Sequence, residues 1–135
     1  MNLASVMDAI AERLDTIDGL RVFGWPVGTL TPPGAVVGYP VDGTYDESYG
    51  RGADSMVIPV VVVVGRVSER ASRDLLAAYA DGSGTRSIKA VLEGGEYTVF
   101  DTIRVQWPDF DTYTVAGVDY LSAVFDVSVF GQGSS

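Results

Sequence analysis

The most regular pattern in the sequence is a run of apolar residues at positions 56–65, most of them β-branched. This composition predicts a β-strand, and the lack of any polar residue in the run predicts that neither face of the strand is left in water. Burying the five valines from Val60 to Val64 would contribute about 10 kcal/mol at the upper limit, comparable to the whole stability of a small domain. We therefore expect each face to be covered, by a helix layer or by a neighbouring protein.

Apolar residues at helical spacing predict an amphipathic helix at the N-terminus, which Asp18 and Gly19 end. Two further helices are predicted after the valine strand, with Ser68 as the N-cap of the first and Ser87 as the N-cap of the second. Short runs of β-branched and aromatic residues predict four more strands. The predicted helices are 3–17, 69–79 and 88–93, and the predicted strands are 20–23, 35–39, 56–65, 97–107 and 113–130.

The segments between these elements are rich in Gly, Pro and polar residues. Residues 24–34 predict an irregular connection, and 42–55 predict a long loop between two strands of a hairpin, where about 2–5 residues would suffice. Loops of that length in compact domains tend to be functional or disordered. A turn or bulge is expected at 108–111, and a kink in the last strand at Ala116 and Gly117.

The order helix, strands, two helices, strands predicts a single α+β domain at 1–131 with a flexible C-terminal tail at 132–135. We expect one mostly antiparallel or mixed sheet of four or five strands, with the helices packed on one face. The connection from Val64 through two helices to Tyr97 is long enough for a crossover, which would make one strand pair parallel.

Cysteine and histidine are both absent from the 135 residues. Disulfides, the usual zinc, haem and iron–sulfur ligand sets, Cys nucleophiles and His general bases are therefore excluded. We expect no catalytic residue, no cofactor and no bound metal. The N-terminus lacks the positive region of a signal peptide and no apolar run reaches the length of a membrane span, so we expect synthesis in the cytoplasm and no membrane partner.

The net charge is −9, and the eight arginines and single lysine are scattered along the chain. Specific nucleic-acid binding requires a basic patch, so we do not expect it. An acidic surface favours solubility, and it would also suit the lining of a conduit through which DNA passes without binding.

Four acidic residues of the long loop, Asp42, Asp46, Glu47 and Asp54, could offer oxygen ligands to a calcium ion. They lack the alternating ligands, the central glycine and the closing glutamate of a calcium loop. A solvated acidic loop therefore explains them better than a metal site.

Asp109 and Asp111 stand two residues apart, so both carboxylates would point the same way in an extended segment, as an acid–base pair requires. The turn chemistry of Pro-Asp-Phe-Asp explains them without catalysis. Trp25 is expected in the core. Trp107 is compatible with the core or with a binding surface, because the neighbouring Pro108 suggests the margin of the sheet.

In their order and spacing these elements resemble the tail terminator proteins of long-tailed bacteriophages. The resemblance extends from about Leu3 to Gly131 and includes the opening helix, the Pro-Gly segment, the Tyr-containing acidic loop and the closing β hairpin. Its most characteristic segments are Val6-Met7-Asp8-Ala9-Ile10 in the opening helix, the valine strand at 57–66, and the helices at 68–79 and 87–92. The preference for arginine over lysine is typical of a GC-rich actinobacterial host.

The resemblance implies a hexameric ring that caps the tail tube, ends tube polymerisation and offers a docking face to the head connector. The implied partners are further copies of the chain, the major tail tube protein and a head-completion or connector protein. DNA would pass through the lumen without specific binding, and no catalysis is implied. The protein would be found in the neck of the virion, and in the host cytoplasm during assembly.

A closed ring of identical subunits repeats one heterologous interface around an axis. Sheet edges and the long loop are the expected sources of that interface, because tyrosine supplies a large contact area at low entropy cost. Arginines beside the second helix could meet acidic neighbours or form an ordinary solvated helix face. The candidate interface residues are Tyr45, Asp46, Glu47, Tyr49, Arg51 and Asp54 in the loop, and Arg66, Arg70 and Arg73 beside the helix.

Two alternatives remain open. Another neck protein, such as a head-completion or connector protein, would share the small size and the ring. A small carboxylate-dependent enzyme or a carbohydrate-binding domain would instead use Trp107, Asp109 and Asp111.

Overall fold

The structure is a computed structural model that describes residues 2–23, 33–44, 53–115 and 117–132. Within these residues it has three helices and seven strand segments. In chain order they are α1 (Leu3–Leu14), β1 (Arg21–Phe23), β2 (Gly34–Val37), β3 (Asp42–Thr44), β4 (Ala53–Arg66), α2 (Arg70–Ala80), α3 (Ile88–Glu93), β5 (Thr102–Val105), β6 (Asp109–Val115) and β7 (Val118–Gln132).

All seven strand segments belong to one sheet, whose main path is β1-β2-β4-β7-β5. β4 and β7 pair with each other along most of their length. On its other side β4 pairs with β2 and with β3. On its other side β7 pairs with β5 and with β6. The sheet is therefore five positions wide. Together with the three helices packed against it, it confirms the predicted α+β class.

Every strand pair is antiparallel except β1 with β2. The parallel pair is therefore not the one that the sequence predicted. The crossover through α2 and α3 does lead from β4 to β5, but β7 lies between these two strands and separates them. The prediction was wrong because strand order depends on where the last strand inserts, and no local pattern records that.

The centre of the protein is the pairing of β4 with β7. Val60 stands opposite Phe125, and Val62 stands opposite Ala123. All four side chains are buried, and they form one cluster with apolar residues of α1, α2 and α3. We call this side of the sheet the helix face. The opposite face contains the alternate residues of β4, of which Val63 is buried.

α1 ends at Leu14 and does not continue to residue 17 as the apolar spacing predicted. The N–H groups of Thr16 and Ile17 bond to the carbonyl oxygens of Arg13 and Leu14, at 3.2 and 3.0 Å. These bonds reach back three residues instead of four, so they tighten the chain into a turn and stop the helix. Ile17 remains buried, which explains why it continued the pattern.

The N-caps of the two later helices differ in how well the sequence predicted them. α2 begins at Arg70 with Glu69 as its N-cap, and no side chain forms a capping hydrogen bond, so the prediction of Ser68 was wrong. The Ser87 cap of α3 is confirmed, because its Oγ accepts a hydrogen bond from the Ala90 N–H at 3.0 Å.

The strand predicted from residue 97 begins only at Thr102. The preceding residues pack against the end of α3 instead of joining the sheet. The Tyr97 hydroxyl donates to the Leu92 carbonyl oxygen at 2.6 Å, and its ring lies 4.4 Å from the ring of Phe100, centroid to centroid. Tyr97 therefore supplies a hydrogen-bond donor to a carbonyl group at the C-terminus of the helix. The alternating pattern along the chain does not predict this contact.

The turn or bulge predicted at 108–111 was wrong, because most of that segment belongs to β6. Of the kink predicted at Ala116 and Gly117, Ala116 lies outside the described residues. Gly117 lies between Val115 and Val118, which stand opposite each other, and has a φ of +79°. A positive φ in so tight a turn favours glycine.

The predicted loop at 42–55 and the predicted tail are both shorter than expected. Residues at each end of the loop form β3 and the start of β4, and only 45–52 lie outside the described residues. β7 continues through Gln132, which pairs with Ala53, and Gly131 is buried. Backbone pairing with neighbouring strands makes the ends of both segments part of the sheet, although their polar composition predicted a loop and a tail.

Glu93 links α3 to β5, and its ionisation should contribute to stability. Its Oε2 accepts a hydrogen bond from the Val105 N–H at 2.9 Å, and Lys89 Nζ lies 2.6 and 2.7 Å from its two carboxylate oxygens. Burial raises the pKa of Glu93, but the hydrogen bonds from Lys89 and Val105 and the charges of Lys89 and Arg104 outweigh it. The net result is a lowered pKa.

A lowered folded-state pKa adds stability above the unfolded pKa, and that stability is lost as the pH falls through the folded value. We therefore expect Glu93→Gln to lower the free energy of unfolding by about 1 kcal/mol at pH 7. The difference from wild type should shrink in acid, below the ordinary pKa of glutamate. Urea unfolding at pH 7 and at a pH below the ordinary pKa of glutamate measures this difference in the free energy of unfolding. Glu96→Gln, at an exposed side chain, is the control. A difference that did not depend on pH would contradict the assignment.

Candidate assembly surfaces

Five of the nine predicted interface residues lie outside the described residues. They are Tyr45, Asp46, Glu47, Tyr49 and Arg51. Asp54 is described: it lies near the start of β4 opposite Gly131 of β7, and it is only 6% exposed. A carboxylate buried to that extent offers little surface to a neighbouring subunit.

The three predicted arginines are exposed near the junction of β4 and α2. Arg66 ends β4, Arg70 begins α2, and Arg73 lies about one turn further along the helix. Arg73 Nη2 is 3.6 Å from Asp74 Oδ1, and both side chains are about two thirds exposed, at 67% and 66%. A pair this solvated contributes little to stability, so these arginines form an accessible charged surface.

Asp54 and the three arginines lie towards opposite ends of β4. Asp54 and Arg66 are separated by nearly the whole of β4, which at about 3.3 Å per residue corresponds to roughly 40 Å. Among the described candidates, the structure therefore does not bring Asp54 and the three arginines together.

A different apolar surface lies at the margin of the sheet, beside β6. Trp107 is 79% exposed and Phe110 is 50% exposed. Their ring centroids are 6.3 Å apart with the ring planes at 79°, an edge-to-face pair. We call these two side chains the aromatic patch. Trp107 is therefore a surface residue and not a core plug, whereas Trp25 lies outside the described residues.

The register of β6 places the aromatic patch on the helix face. Phe110 stands opposite Ala123, which belongs to the buried cluster. A cavity of about 320 Å³ adjoins Trp107. Its wall comes from the end of α2, the start of α3, β7 and the chain around Trp107, and includes Ala80, Gly82, Lys89, Val105, Pro108 and Phe125.

No strand in the described part of the chain pairs with the outer edge of β6. A carboxylate covers part of that edge, because the Thr112 N–H donates to Asp111 Oδ1 at 2.7 Å. Behind it, Ser122 Oγ donates to the Asp111 carbonyl oxygen at 3.0 Å. An acidic side chain at an edge amide discourages the addition of another strand. Contacts at this edge are therefore favoured through side chains, and the simple strand pairing that the sequence suggested is disfavoured.

A groove of about 790 Å³ runs between α1 and the first two strands. We call it the apolar groove, because most of its wall is hydrophobic: Leu3, Ala4, Met7, Ala11, Val22, Phe23, Val37 and Tyr39. Val22 stands opposite Ala35 of the buried cluster, so the groove opens on the helix face. Helical spacing revealed which residues of α1 are apolar, but not that those nearest β1 border an open recess.

A second groove, of about 460 Å³, is lined by acidic residues of α1 and by residues 96–99. Asp8, Glu12 and Glu96 contribute to its wall, together with Arg13. The Arg13 Nε–H donates to the Val91 carbonyl oxygen at 2.8 Å, so this guanidinium joins α1 to α3. Across the described residues, no group of three or more acidic side chains is arranged to hold a metal ion.

Asp109 and Asp111 point to the same side of the sheet, as their spacing predicted. They stand opposite Val124 and Ser122, on the face away from the helices. Both are exposed, and neither lines one of the three cavities described above. This open setting differs from the enclosed site that carboxylate catalysis needs.

None of the helices in the described ranges is long and apolar enough to cross a membrane. The chain matches no protein-family model and no curated protein sequence.

Proposed function

We propose that this chain is a structural virion protein whose copies form a ring, most simply a hexamer, at the end of the tail tube of a long-tailed phage. The ring ends tube polymerisation and joins the tail to the head connector. The order of the elements supports this reading, because it resembles that of tail terminator proteins. The protein acts by occupying a position in an assembly and needs no catalytic residue.

The observation that carries the proposal is the margin of the sheet at β6. Residues 109–114 are all exposed, and Phe110 in this segment and the nearby Trp107 expose aromatic side chains. An exposed edge with apolar side chains exposes an isolated domain to aggregation, whereas in an oligomer it is covered. The same margin at every subunit supplies one half of a repeating interface.

The net charge of −9 supports the further proposal that DNA passes through the ring. A lumen lined by acidic side chains repels the phosphate backbone, so DNA can move through it without being held.

Native mass spectrometry and negative-stain electron microscopy of the purified protein test the ring. We expect a closed particle with a central opening, formed by the chain alone or on addition of tail tubes from the same phage. A protein that stays monomeric at high concentration under both conditions would refute the proposal.

A tube-growth assay separates this role from that of another neck protein. We expect substoichiometric amounts of the chain to halt polymerisation of the tail tube protein. A head-completion or connector protein would form a ring but leave tube growth unchanged.

Carbohydrate binding is a second candidate, favoured by the exposed indole of Trp107. Sugars stack on exposed aromatic faces, so binding should change the fluorescence of Trp107. A titration with oligosaccharides tests this, with Trp107→Phe identifying the responding indole. No saturable change would exclude this candidate for the sugars used.

A further inference from the structure

The aromatic patch and the apolar groove lie at opposite ends of the sheet. The groove borders β1, the first strand of the path, and the patch borders β6, which shares the last position with β5. A subunit with a projecting apolar group at one end and an apolar recess at the other can bind its neighbour head to tail.

Both features open on the same face. Phe110 and Val22 each stand opposite a residue of the buried cluster, Ala123 and Ala35 respectively. When two copies lie side by side with their helix faces on one side, the patch of one copy therefore lies beside the groove of the next, on the same side of the boundary.

The other face of the same two margins has complementary charges. Arg21 of β1 stands opposite Gly34, which pairs with Val63, so it lies on the face away from the helices. Asp109 of β6 lies on that face as well, opposite Val124. Both are exposed, and neither makes an ion pair with another described residue. Through the ladder, Arg21 is level with Asp111, two residues from Asp109, so the side-by-side arrangement brings the Asp109 carboxylate near the Arg21 guanidinium.

We infer that Trp107 and Phe110 of one copy fill the apolar groove of the next copy, with Asp109 facing Arg21 across the boundary. The occupant of the groove is thus a second copy of this chain. This inference rests on the proposed function, since it names the contact that closes the ring. Because Asp111 covers the edge amide of Thr112, the contact is made by side chains and not by a continuous backbone ladder.

Disulfide cross-linking tests the contact directly, because the chain has no cysteine of its own. Ala4→Cys places a thiol at the groove, and Phe110→Cys places one at the patch. We expect oxidation of the two variants mixed together to give a covalent dimer that neither variant gives alone. A chain with both substitutions should give a ladder of covalent oligomers that ends at the ring size.

The matched control is Val67→Cys, which places a thiol at a residue that is 48% exposed but belongs to neither surface. Mixed with Ala4→Cys it should give no dimer above background. Circular dichroism of each variant confirms that it is folded before oxidation.

A charge exchange tests the polar half of the contact. Arg21→Asp and Asp109→Arg should each weaken assembly, by up to about fivefold for an exposed pair. The double variant should restore wild-type assembly. Failure of this rescue would overturn the pairing of Asp109 with Arg21.

The outcomes separate this inference from the function on which it rests. Closed rings by microscopy without the Ala4→Cys to Phe110→Cys cross-link would overturn the inferred contact and leave the ring intact. The cross-link in a protein that neither closes into rings nor stops tube growth would support the contact and refute the proposed function.

Discussion

Phe125→Ala is expected to lower the free energy of unfolding by about 3–5 kcal/mol, a large share of the roughly 5–15 kcal/mol of a typical domain. Phe125 is only 1% exposed and stands opposite Val60 at the centre of the β4–β7 pairing. It also contributes to the wall of the cavity beside Trp107. Truncation therefore removes apolar contacts and enlarges a void that the surrounding sheet cannot easily close.

Urea unfolding followed by circular dichroism measures this loss, with Val124→Ala as the matched control. Val124 is the preceding residue of β7, but it lies on the opposite face and is only half-buried. Its truncation should cost about 1 kcal/mol. Equal losses at the two positions would contradict the assignment of the main core to the helix face.

Gly65→Ala is expected to destabilise the protein by about 1–3 kcal/mol, although alanine usually suits a strand better than glycine. A Cβ at residue 65 would overlap Ser72 Oγ, because α2 crosses β4 closely at this point. Ser72 is 4% exposed, so its hydroxyl has little room to move away. Gly65 directly follows the register shift of β4 against β7, a local irregularity at which the strand can bend.

A double-mutant cycle isolates the overlap. In a Ser72→Ala background, Gly65→Ala should be neutral or stabilising, because the remaining contact of 3.4 Å with the Ser72 Cβ is an ordinary one. Gly82→Ala is the control, since nothing lies within 4 Å of a Cβ added there. A loss at residue 65 that persists without the serine hydroxyl would show that the strain lies in the backbone.

The sequence predicted those elements whose stabilising interactions lie nearby in the chain. The valine strand followed from its composition, and α3 followed from Ser87 and the apolar residues after it. The errors in the strand region occurred where a distant partner decides the conformation. Residues 108–111 read as a turn or bulge because Pro, Asp and Asp are turn residues, but pairing with β7 extends residues 109–111. Tyr97 read as a strand residue, but its hydroxyl bonds to the end of α3.

The candidate assembly surfaces were less predictable than the elements. Local composition favoured the tyrosines of the long loop as contact residues. Whether Trp107 is buried depends on which neighbours cover it, so its sequence context was compatible with the core or with a binding surface. The apolar groove could not be predicted at all, because Met7 and Val22 come together only when α1 packs over β1. The burial of a side chain and the shape of a groove depend on how two elements pack together. The spacing of residues along the chain does not predict them.

By itself, the sequence determined that this protein has a largely apolar central strand, an α+β arrangement and no thiol or imidazole chemistry, because composition and short-range periodicity fix these properties. Only the tertiary structure decided that β7 inserts between β4 and β5, that Asp54 and Arg66 lie roughly 40 Å apart, and that an aromatic patch and an apolar groove occupy opposite margins of one face. The physical reason is that strand order and surface shape arise from long-range packing, in which residues far apart in the chain compete for the same neighbours.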